Sequence, residues 1–113
     1  MGNVTIKIYN PRATAERIKN RFYNRVLPIL ADQIISDSNV YVRKQDGTLA
    51  ASAAPELGGR LIRWNTAYAK RVYYTGTPRK NVNPNASLRW FEVAKRNYSG
   101  DWANLANKLM NGG

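Results

Sequence analysis

The chain has 113 residues, room for one domain around one core (residues 1–113), and 43% of them are hydrophobic, enough for a folded rather than a disordered chain. It contains no Cys and no His, which excludes a disulfide scaffold, a thiolate or imidazole metal site and the commonest general base. The net charge of +11, from 18 Lys and Arg against 7 Asp and Glu, points to a polyanionic partner or an acidic protein surface, or else to a solubilising exterior.

Val4 to Tyr9 alternates apolar Val4, Ile6 and Ile8 with polar Thr5 and Lys7, the pattern of a half-buried strand. Asn10-Pro11 follows as an N-cap and first helical residue. The predicted helix runs to about Ser38 along a stripe of Ile18, Phe22, Val26, Leu30 and Ile34, widened by Leu27 and Ile35. Pro28 lacks the N–H that would reach the carbonyl of Asn24, so it should kink or split this helix. Asn39 to Lys44 reads as an extended crossing, Asp46-Gly47-Thr48 as a turn, and Thr48 to Ala53 as one or two helical turns.

Gly58-Gly59, between Ala54–Leu57 and Arg60–Asn65, predicts a hairpin with a two-residue turn. Thr66 to Thr75 is ambiguous, helical by the spacing of Tyr68 and Val72 and strand-like in Val72-Tyr73-Tyr74-Thr75. Gly76 to Asn85, with Pro78 and Pro84, is a loop. A last helix should begin near Asn85 to Ser87 on a stripe of Leu88, Phe91, Tyr98, Trp102, Leu105 and Leu109, with Ser99-Gly100-Asp101 a point of breakage. On that stripe Phe91 belongs to the core, and Trp90, about 100° away around the helix, falls on its flank, where it reaches a neighbouring element or subunit or else caps the edge of the same core under the Pro84 loop. The order strand, long helix, hairpin, long helix makes an α+β fold: a small, mainly antiparallel sheet packed with a long N-terminal helix and a C-terminal helix.

The chemistry-bearing residues are sparse. Glu16, Asp32, Asp37, Asp46, Glu56, Glu92 and Asp101 are scattered, with no D-x-D or E-x-x-E pair, and Gly58-Gly59 opens no phosphate-binding loop. Neither an enzyme nor a cofactor is expected. No apolar run approaches the ~20 residues that span a bilayer. The N-terminus lacks the apolar core of a signal peptide, and Ile6 stands where myristoylation wants Ser or Thr, so the expectation is a soluble protein with no membrane association, intracellular when made.

Arg12, Arg17, Lys19, Arg21 and Arg25 on the first helix and Arg79 and Lys80 in the later loop are the candidate contacts to DNA phosphate, although a helix also needs a solvated face. No sequence-reading DNA-binding motif is present, so such contact is expected without base recognition. Trp64, Tyr68, Arg71, Tyr73, Tyr74, Arg79 and Trp90 are of the types enriched at interfaces and are the interface candidates, with core packing favoured for Trp64 and Tyr68. Tyr73 and Tyr74 are adjacent, so at least one of them should face outward.

Three stretches in order carry a resemblance: Asp46-Gly47-Thr48-Leu49, then Arg63-Trp64-Asn65-Thr66-Ala67-Tyr68-Ala69-Lys70-Arg71-Val72-Tyr73-Tyr74, then Asn83-Pro84-Asn85-Ala86-Ser87-Leu88-Arg89-Trp90-Phe91-Glu92-Val93-Ala94-Lys95. Together they resemble the minor capsid proteins of tailed phages of Gram-positive bacteria, related to the neck and tail-completion proteins of long-tailed phages. The first stretch departs from the family pattern: no Thr stands between Asp46 and Gly47, and Ala50 stands where Arg is common. The resemblance implies a structural virion component made in the host cytoplasm and located at the head–tail junction. It also implies a homo-oligomeric ring, six copies favoured over twelve, joined to other neck and tail proteins, with no enzymatic activity and no cofactor. The alternative is a basic module binding nucleic acid non-specifically; an enzyme or toxin is disfavoured by the missing His and the scattered carboxylates.

Overall fold

Strand β1 (Val4–Lys7) forms as its alternation dictates, with Val4 buried and Thr5 exposed. The computed structural model describes residues 4–7, 20–42, 48–75 and 85–111. The helix start at Asn10-Pro11, the Asp46-Gly47 turn and the loop of residues 76–84 lie outside them, as do Arg12, Arg17, Lys19, Arg79 and Lys80.

The first helical stretch stays continuous but takes a π-helical turn just before Pro28. Phe22–Val26 forms a π-helical turn, in which the Leu27 N–H donates to the Phe22 carbonyl. Helix α1 (Leu27–Asn39) follows, with Pro28 in its first turn, where a missing N–H costs nothing. The expected stripe is observed: Phe22, Val26, Leu27, Leu30, Ala31 and Ile34 are buried. The expected extended crossing after Asn39 is corrected at its described residues. Tyr41 and Val42 N–H groups donate back to the Ser38 and Asn39 carbonyls, so the chain turns there and seats Val42 in the core.

One helical turn, α2 (Thr48–Ala51), leads into β2 (Ala53–Glu56), which pairs antiparallel with β3 (Leu61–Trp64). The hairpin is as expected, but its connection is four residues, Leu57 to Arg60, rather than the Gly-Gly pair alone. The turn needs positive φ at three consecutive residues, Leu57 (53°), Gly58 (69°) and Gly59 (96°). β3 also pairs antiparallel with β1, giving a three-stranded sheet among the described residues in the order β1-β3-β2. Val4 lies opposite Trp64 and Ile6 opposite Ile62, so these four share the face that meets the helices. Pro55 has no N–H to donate and sits in edge strand β2, where that loss is tolerated.

The ambiguous segment resolves as helix α3 (Ala69–Thr75), burying Ala69, Val72 and Tyr73. Helix α4 (Trp90–Met110) packs antiparallel to α1: Arg21 donates to the Met110 carbonyl, Trp102 to Asp37, and Asn97 to the Tyr41 hydroxyl. Two expectations for α4 are corrected. It runs unbroken through Ser99-Gly100-Asp101, because a solvent-exposed Gly flanked by full turns costs only about 1 kcal/mol. The second correction concerns its aromatic pair. Leu88 lies outside the helix, and the buried line runs Trp90, Ala94 and Trp102, with half-buried Tyr98 completing the spacing of four. Trp90 is therefore the core residue, wholly buried, and Phe91 is half-buried, stacked on Trp102 at 6.0 Å.

Trp90→Ala should lower unfolding stability by about 3–5 kcal/mol, and Phe91→Ala by clearly less. Chemical denaturation of the two variants checks the order. Gly59→Ala should also destabilise, by about 1–3 kcal/mol. Its Cβ would lie 2.9 Å from the Leu27 carbonyl oxygen in a backbone region that L side chains rarely adopt, and a fall in thermal midpoint reads this out.

Candidate interface surfaces

The aromatic residues of the two later motif stretches meet in space. Trp64 contacts Trp90 edge-to-face at 5.8 Å, Trp90 contacts Tyr73 at 4.6 Å, and Tyr73 contacts Tyr74 at 4.9 Å. This chain of rings runs from the centre of the core to solvent, where Tyr74 is 47% exposed. The Arg89 guanidinium lies over the Tyr74 ring at 5.1 Å, within cation–π range. Of the interface candidates, Trp64, Tyr73 and Trp90 are buried in this protomer, which corrects Trp90 as a flank residue. Tyr68 is half-buried, and Arg71 and Tyr74 are exposed. The expectation that one of the adjacent tyrosines faces outward holds for Tyr74.

Two tethers fix this cluster. The Trp64 indole N–H donates to Asn39 Oδ1 at 2.9 Å, and the Asn39 amide donates to the Ala50 carbonyl at 3.2 Å, so the last residue of α1 ties sheet to helix. The Arg89 N–H donates to the Tyr73 carbonyl at 2.8 Å, holding Arg89 at φ 52° just before α4. A non-glycine residue there costs roughly 1–2 kcal/mol. The Tyr73 hydroxyl donates to Glu92 Oε2 at 3.4 Å, and the same carboxylate faces Arg89 at 3.5 Å. Burial first, and the Glu92 charge second, push the Tyr73 phenol well above its ordinary value.

Beside the cluster lies an open groove of about 440 Å³. β1 supplies Val4, Thr5 and Ile6, α3 supplies Lys70, Tyr73 and Tyr74, and α4 supplies Phe91, Glu92 and Lys95. Across the described surface, groove included, exposed cations dominate: Arg21, Arg25, Arg60, Lys70, Arg71, Arg89, Lys95, Arg96 and Lys108, against exposed Asp32, Glu92 and Asp101. Of the candidate phosphate contacts, Arg21 and Arg25 are thus at the surface. The Arg60 guanidinium stacks on Tyr23 at 4.2 Å.

Leu57 was missed by sequence reasoning. It is 70% exposed at the hairpin tip, and its only sequence signal is its place before Gly58-Gly59. Among the described residues no group of three or more Asp or Glu is placed to hold a metal ion, and no helix is long and apolar enough to cross a membrane.

The profile of the minor capsid protein family matches residues 6–110, nearly the whole chain. The chain belongs to that family. A minor capsid protein is a structural component of the phage virion, in contact with other virion proteins. No curated protein and no solved structure matches the chain. The aromatic cluster of this minor capsid protein is built from the stretches that resemble the family, Trp64 and Tyr73 from one and Trp90 from the other.

The raised Tyr73 phenol has a stability consequence. The unfolded chain releases this proton near the ordinary value of 10.0 while the folded chain retains it. The contribution is therefore complete below about pH 9 and is lost as pH rises beyond 10. Wild type should lose more stability between pH 8 and pH 11 than Tyr73→Phe does, measured by urea denaturation at both values.

Proposed function

We propose that this minor capsid protein is a non-catalytic ring subunit of the phage neck, at the junction of head and tail, serving as a connector or tail-completion component. The family match over residues 6–110 carries the reading. The resemblance to neck and tail-completion proteins of phages of Gram-positive bacteria supports the neck as its place in the particle.

The surface supports a ring. A ring subunit needs two unlike faces that meet head to tail and close by rotation. The described exterior offers a cationic, tyrosine-bearing side around α3 and the start of α4, and an apolar hairpin tip at the other edge of the sheet. Six copies is the favoured number and twelve the alternative. The excess of exposed Lys and Arg supports a second contact, with the backbone of DNA passing through the ring.

Reconstruction of the virion is expected to place the chain at the head–tail junction; density for it only elsewhere on the particle overturns the proposal. Binding of the purified protein to duplex DNA should be independent of sequence. It should weaken by at least tenfold between about 50 and 200 mM salt, as expected when several phosphates are neutralised. Fluorescence anisotropy with two unrelated duplexes checks both features.

A further inference from the structure

We propose that the Glu56-Leu57-Gly58 hairpin tip of one copy seats in the β1–α3–α4 groove of the next copy. This deepens the ring reading and rests on it.

The tip has the form of an inserted knob. Leu57 is a large apolar side chain left 70% exposed at the end of a hairpin. Its backbone is held at φ 53°, a conformation that Gly or Asn would adopt with less strain. The turn itself imposes the positive φ, but nothing in the described protomer explains why a large apolar residue stands there with its side chain in solvent. Glu56 precedes it. Its carboxylate is paired with Arg63 at 3.5 Å but stays 40% exposed, open to a second cation beside the apolar Leu57, while Arg60 at the end of the turn is held over Tyr23.

The groove presents the complement. Val4, Ile6 and Phe91 give it apolar wall, and Tyr74 is exposed at its edge. Its carboxylate, Glu92, is already engaged by Tyr73 and Arg89. Lys70 and Lys95 are exposed and form no ion pair among the described residues, so the groove's free charge is positive. At about 440 Å³ it exceeds a single leucine side chain and suits a few residues of a turn.

The placement of knob and groove fits a ring contact rather than a two-fold dimer. β1 and β2 are the two edges of the sheet, about 10 Å apart across β3. Val4 lies opposite Trp64, at the end of β3 away from the hairpin turn. The groove runs along β1 and the tip extends from β2 at the opposite edge of the sheet, so the two share no residue. One copy can give its tip and receive another's at once, which is a heterologous contact.

The chain has no Cys, so introduced thiols report without background. The test is a double variant, Thr5→Cys in the groove with Leu57→Cys at the tip, incorporated into particles and oxidised. The two positions are too far apart for a disulfide within one copy. The expected result is a ladder of disulfide-linked oligomers, with each single variant giving no species beyond a dimer. Where particles exclude the double variant, co-expression of the two single variants should give a disulfide joining position 5 of one copy to position 57 of another. Leu57→Gly is the second arm. It relieves the positive φ, so thermal stability should hold or rise, while incorporation into particles should fall by roughly tenfold or more. Particles that contain the variants but give no such link, a link from position 5 to a different virion protein, or Leu57→Gly incorporated as well as wild type would overturn the contact. Absence of the link with the chain at the head–tail junction removes this contact alone. A link present with the chain elsewhere removes the neck reading alone.

Discussion

Burial of the Trp90 indole is the constraint on which the rest of the fold depends. It sits at the first position of α4, and its neighbours come from β3, through Trp64, and from α3, through Tyr73. Three separate elements are fixed by one side chain. The backbone before it accepts a cost to put it there: Arg89 adopts a left-handed conformation, held by the Tyr73 carbonyl, and the helix begins without a side-chain cap. The indole N–H finds no acceptor among the described residues, a further cost of about 1–3 kcal/mol that the apolar burial of the ring offsets.

Within the stretches that carry the resemblance, interior residues alternate with exposed ones. Trp64, Tyr73 and Trp90 lie in the stretches carrying the resemblance, and all three are interior. They hold the sheet and helices in register, and the register in turn determines where Tyr74, Lys70 and Lys95 come to the surface. A signature of this kind reports a scaffold. Exposed residues such as Leu57 lie outside that scaffold and contribute little to the core.

Much of the fold was legible because its periodicities are local. The alternation of Val4 to Lys7, the four-residue spacing from Phe22 to Ile34 and the effect of Pro28 were all readable, since each depends on neighbours within one or two turns. The failures involve distance. Whether Trp90 or Phe91 points inward depends on where α4 begins, and that is set by hydrogen bonds to Tyr41 and Tyr73, far away in the sequence. Counting Leu88 as helical shifted the stripe by one position. Thr66 to Thr75 is ambiguous in sequence, helical by the spacing of Tyr68 and Val72 and strand-like over Val72 to Thr75, and the helix lets Tyr73 reach Trp90 and Glu92. The hairpin was visible in Gly58-Gly59, but the strained Leu57 was not, because no composition rule places a leucine at positive φ.

The π-helical turn from Phe22 to Val26 has a consequence for orientation. A π turn accommodates one more residue than the α-helical turn it replaces, and one residue is about 100° of rotation. The basic side chains at Arg21 and Arg25 are therefore not on the azimuth that a straight extension of α1 would assign them. The turn acts as a phase shifter between α1 and the described residues just before the turn, Asn20 and Arg21. Removing a single residue there would turn Arg21 by roughly a quarter of a revolution about the axis of α1 and take it off the Met110 carbonyl, so the direction of this charge and the seating of the end of α4 are set together by one extra residue.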